Sequence, residues 1–68
     1  EGSQRNSDKE FLRFIHIAKG SLVELETQII ISQHQQFVLD DKCDALFIRI
    51  SELQKMLYSF STKLKANI

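Results

Sequence analysis

The chain has 68 residues, zero formal net charge, one cysteine and no proline. A domain of this size buries only about 60% of its unfolded surface, and a lone cysteine offers no disulfide to compensate. Zero net charge argues against bulk attraction to polyanions. No apolar run approaches the ~20 residues of a membrane span, and no charged-then-apolar leader opens the chain. These features point to one small domain over residues 1–68 that is stabilised by association, in a cytoplasmic setting.

The charge is unevenly placed. Residues 24–44 are acidic, through Glu24, Glu26, Asp40, Asp41 and Asp44. The flanking thirds are basic, so a chain that folds back on itself brings two basic ends together.

Glu1–Asn6 reads as a polar loop. Ser7-Asp8-Lys9-Glu10 fits a capping box, in which the Ser7 hydroxyl accepts from the Glu10 N–H and the Glu10 side chain reaches back. The first helix is therefore expected from Asp8. Phe11, Ile15, Ala18, Leu22, Leu25 and Ile29 then recur in alternating steps of four and three, the 3.5-residue repeat of a helix seam. Leu12, Phe14, Ile17, Val23, Ile30 and Ile31 widen the apolar arc beyond what one partner helix covers. Gly20 sits mid-helix, either as a tolerated defect or as a site of close backbone approach.

The polar run Ser32–Gln36 is expected to end this helix near Gln36, with Phe37, Val38 and Leu39 tucked against the end of the bundle. Asp40 is the expected N-cap of the second helix. There Leu46, Ile50, Leu53, Leu57, Phe60 and Leu64 repeat the same spacing, and Ala66-Asn67-Ile68 should fray. No stretch alternates with period two, so no strand is expected.

The resulting fold class is all-α. It is an antiparallel two-helix hairpin, about 8–36 and 41–66, forming half of an up-and-down four-helix bundle. A missing N-terminal half or another chain would complete it.

Arg5, Lys9, Arg13 and His16 follow one another at spacings of four, four and three. With Lys63 and Lys65 from the second helix they make a candidate phosphate-binding cluster. The alternative is an ordinary solvated face, with Asp8 and Glu10 interspersed. Phe11 and Phe14 are expected in the core and not as base-stacking platforms. Gly20, Ser21, Glu24, Thr27 and Gln28 form a polar patch on an otherwise apolar helix. It is better suited to assembly than to catalysis, because Glu24 and Glu26 point roughly 200° apart. Neither His16 nor His34 stands three residues after a glutamate, as a di-metal bundle would require. No catalytic residues, metal ligands, cofactor or small-molecule substrate are expected. His34 reads as a solvated residue near the helix end.

Glu1-Gly2-Ser3-Gln4-Arg5, Ser7-Asp8-Lys9-Glu10-Phe11, the string Ile17–Gln28 and the run Ile50–Leu57 together resemble the bacterial four-helix-bundle proteins known as 23S rRNA intervening-sequence proteins. The likeness is to the second half of such a bundle. It implies an up-and-down bundle that forms homo-oligomers: a dimer of hairpins here, or a ring-like pentamer for a full-length chain. A relative is the accessory protein of diversity-generating retroelements, a basic bundle associated with a reverse transcriptase and nucleic acid. The resemblance therefore implies a non-enzymatic protein with RNA or DNA as an expected partner. The alternative is a purely structural or protein-interaction scaffold.

Overall fold

A computed structural model describes the backbone over residues 2–67 and the side chains over residues 4–67. Two helices, α1 (Gly2–His34) and α2 (Asp40–Asn67), are joined by five residues and pack antiparallel. A helix of α1's 33 residues is about 50 Å long at 1.5 Å per residue. The hairpin measures 52 × 15 × 10 Å, so it is two helices wide and one helix thick.

Both helices differ at their ends from what local signals suggest. The Ser7–Glu10 capping box is not used, because α1 already runs from Gly2. Nothing in Gly2–Asn6 breaks a helix, and Gln4 Nε2 donates to Asp8 Oδ1 across one turn at 3.1 Å. The added turns carry α1 past the far end of α2, whose Ala66 and Asn67 stay helical and do not fray. Glu1 and Ile68 lie outside the described residues.

The stop of α1 comes at His34, two residues before Gln36. The Gln36 N–H donates to the Gln33 carbonyl and the Phe37 N–H to the Ser32 carbonyl, each at 3.0 Å. Gln36 has φ 61°, which completes a Schellman cap with glutamine where glycine is usual. Of the three apolar connecting residues only Val38 packs inward, while Phe37 and Leu39 are exposed.

Asp40 is the first residue of α2 and not its cap. The Leu39 carbonyl accepts the first helical bond, from the Cys43 N–H at 3.0 Å. The Asp40 carboxylate instead accepts from Gln33 Nε2 at 3.1 Å, tying the two ends of the turn together. Asp40 and Asp41 still place negative charge in the first turn, where the helix dipole favours it.

The seam corrects the sequence reading by half its members. Ile15, Leu22 and Ile29 do face α2, but Phe11 and Leu25 are about half exposed. In α2, Ile50, Leu57 and Leu64 face α1 with Leu53 half-buried, whereas Leu46 and Phe60 stand out in solvent. If Ile15, Leu22, Ile29, Cys43, Ile50, Leu57 and Leu64 are given heptad position a, the second buried row is position e and not d. That row is Leu12, Lys19, Glu26 and Gln33 in α1, and Phe47, Gln54 and Ser61 in α2.

The wide apolar arc contains two overlapping 3.5-residue repeats that share position a. The repeat in use buries the small Ser61 at position e, as it buries the small Cys43 at the shared position a, and small side chains there let the helices approach. Ile29, Cys43 and Ile50 form the core, with Leu22, Val38 and Phe47 against it. Among the described residues only Ile15 joins them as a buried apolar side chain, and Ser61 is the buried polar one.

Candidate interaction surfaces

The five cations singled out in the sequence are all exposed. Arg5, Lys9 and Arg13 occupy the first turns of α1. Register places Lys63 and Lys65 about level with Leu12–Phe14, so one end of the hairpin carries all five. They do not share one face. Lys9 and Lys65 fall on the side of the e and b positions, Lys63 falls on the opposite side, and Arg13 is on the back of α1.

Arg13 is also engaged. Its guanidinium donates to Glu10 Oε1 at 2.8 Å and lies 4.9 Å from the Phe14 ring centroid. That hydrogen bond, and then the guanidinium's charge, hold the Glu10 carboxyl below its usual range. Beside it a shallow open groove is lined by Lys9, Leu12, Arg13, His16 and Ile17, an apolar floor with a cationic rim.

Gly20, Ser21, Glu24, Thr27 and Gln28 are exposed and face away from α2. A methyl at Gly20 would meet nothing within 4 Å, so the hairpin itself does not need a glycine there. Ser21 and Thr27 hydroxyls donate to the carbonyls of Ile17 and Val23 at 3.1 Å, which satisfies them within the helix. Glu24 makes no ion pair within the chain among the described residues, and Arg49 lies 3.9 Å from Glu52.

The exposed apolar side chains went unrecognised in the sequence as a surface. Phe11, Phe14, Leu25, Leu46, Met56 and Phe60 are each 44–54% exposed. Phe11 and Leu25 are d residues of α1; Leu46 and Phe60 are d residues of α2. In an antiparallel pair with matching a/e seams, both d rows rise on the same side. Phe14 and Met56, at g, extend that side. The signal was present as arcs too wide for one partner, but not which stripe would remain bare.

Among the described residues no three His, Cys, Asp or Glu side chains converge as metal ligands, and no helix is long and apolar enough to cross a membrane. The buried Cys43 thiol is pushed above its ordinary value by burial first, and then by Asp40, Asp44 and Asp41.

Taken together, these features define a helical hairpin with one thin core and many bare apolar side chains, six of them gathered on the side of the d and g rows. A family model described as 23S rRNA-intervening sequence protein matches residues 1–59. The chain belongs to that family. No curated protein and no solved structure is detectably similar to it.

Proposed function

We propose that the chain is a non-enzymatic bundle protein that works as an assembly of several copies, as an accessory touching RNA or DNA with its cationic end. The observation that carries the assembly is the bare apolar side. On that side six large apolar side chains are about half exposed, and a hairpin only 10 Å thick cannot cover them itself. Its radius of gyration is 15.7 Å, against about 11 Å for a compact chain of this length. A cytoplasmic setting belongs to the same reading, supported by the unpaired thiol of Cys43. Sedimentation at micromolar concentration should give a mass of at least two chains. A folded monomer would overturn the assembly.

Nucleic-acid contact is supported by Arg5, Lys9, Arg13, Lys63 and Lys65 at one end. A scaffold without nucleic acid is the second reading, favoured by zero net charge and by the capture of Arg13 by Glu10. Filter binding to RNA and DNA at two salt concentrations decides between them. Phosphate contacts must weaken as salt rises, so absent or salt-independent binding selects the scaffold.

A further inference from the structure

We infer that the bare apolar side is covered by a second copy of this chain, with the twofold axis parallel to the helices. α1 of one copy then packs on α2 of the other. This rests on the assembly proposed above and specifies its face, symmetry and register.

The area is right for a second copy. The chain exposes 5384 Å², against about 4,400 Å² for a compact monomer of its size. The excess of about 1,000 Å² compares with the roughly 800 Å² that each partner buries in a stable interface. The d and g rows supply the apolar part through Phe11, Phe14, Leu25, Leu46, Met56 and Phe60.

Charge then selects the symmetry. The g row of α2 is Lys42, Arg49, Met56 and Lys63, three cations of four with no acid. The g row of α1 is Ser7, Phe14, Ser21 and Gln28, with no charge at all. A twofold axis across the helices would stack α2 on α2 and oppose cations at every whole-heptad register that overlaps three or more of these four positions. An axis along the helices stacks α2 on α1, so each cation meets a neutral row. On the rim of that row, at position c, stand Glu10 and Glu24, about one turn from the level of Lys63 and Arg49 of the second copy, whereas position c of α2 offers Glu52 alone, 3.9 Å from Arg49 of its own chain.

Register follows without further choice. Rotation about an axis parallel to the helices leaves heights unchanged, so the pairing between copies repeats the pairing within the hairpin. The Lys19 ammonium lies 5.9 Å from the Tyr58 ring centroid, which puts those two residues at about the same height. Ser21 is accordingly level with Met56. Within one chain these two g side chains point apart, on the outer flanks; between copies they meet.

Cysteine cross-linking tests this. Ser21→Cys and Met56→Cys chains are made separately, refolded together under reducing conditions and then oxidised. Both sites are exposed, and Cys43 is buried in the native fold. Circular dichroism verifies that each variant is helical. The mixture should give about tenfold more disulfide-linked dimer than either variant alone, because a disulfide forms only when Cβ atoms come within about 4.5 Å. Efficient linking of Ser21→Cys or Met56→Cys chains by themselves would overturn the symmetry. No linking in any sample that sediments as an oligomer would overturn the face. A monomer by sedimentation would instead overturn the assembly on which the inference rests.

Discussion

Lys19 and Tyr58 meet across the hairpin, the ammonium 5.9 Å from the ring centroid. Lys19 is half-buried at position e and Tyr58 is exposed at position b of α2. The lysine stem thus covers the seam while its charge reaches an aromatic face on the rim. A cation–π contact at such a site is worth about 0.5–1 kcal/mol. A double-mutant cycle with Lys19→Met and Tyr58→Leu, read by urea denaturation, should return a coupling of that size. Zero coupling would show that the two residues merely share a level.

Gln36 occupies the left-handed region at φ 61°. Side chains other than glycine pay a steric cost there of about 1 kcal/mol, and the Schellman bonds of Gln36 and Phe37 need only backbone. Gln36→Gly should therefore raise stability by about 0.5–1 kcal/mol. The same protein with Gln36→Val should lose stability, since a β-branched side chain is the worst fit to this backbone. Thermal melts at one protein concentration compare all three.

Cys43 is buried with its thiol pushed up, by burial first and then by Asp40, Asp44 and Asp41. Below the ordinary thiol value of about 8.5 both folded and unfolded chains keep the proton, and the group contributes no pH dependence. As pH rises past that value the unfolded chain loses its proton while the fold retains it, so stability falls. A thiol reagent should stay unreacted with native protein at pH 7.5 and react fully in denaturant. Replacement by alanine should flatten part of the alkaline decline. Fast reaction of the native thiol would contradict its burial.

The two helices and their antiparallel pairing were legible in the sequence, because the 3.5-residue repeats are long and unbroken. Their boundaries were not. Ser7–Glu10 is a sound local start signal that lost to a helix-compatible stretch upstream, and the stop at His34 uses a glutamine in a role that glycine normally announces. The seam was half legible for a specific reason. Ile15, Leu22 and Ile29 belong to both candidate repeats, and apolar size favours Phe11 and Leu25 as their companions. Packing chose the e row instead, which carries Lys19, Glu26, Gln54 and the fully enclosed Ser61, residues that hydrophobicity ranks low. The larger side chains were left for an outer surface, a choice visible only once two real helices are set side by side.

Ser61 tests that account directly. It is 2% exposed, and its hydroxyl donates to the Tyr58 carbonyl at 2.8 Å. Ser61→Ala removes one local hydrogen bond and should change stability by less than about 1 kcal/mol. Ser61→Leu restores the apolar pattern but forces bulk into the closest contact, and should cost about 1–3 kcal/mol. If leucine stabilised the protein instead, the small residue would not be what sets the helix spacing.

Gly20 separates two kinds of surface. It lies at position f on the back of α1, and an added Cβ meets open space within the chain. In an isolated helix interior Gly→Ala is worth about 1 kcal/mol. With the second copy on the d and g rows, Gly20 remains in solvent, so Gly20→Ala should raise stability by that amount at every protein concentration and leave the sedimenting species unchanged. The contrasting case is a helix pressed against Gly20 and Thr27. There the same methyl would weaken assembly, and the apparent stability of the variant would fall below the parent as concentration rises. Denaturation curves of Gly20→Ala over a hundredfold range of concentration therefore report which face of α1 the assembly uses, independently of any cross-link.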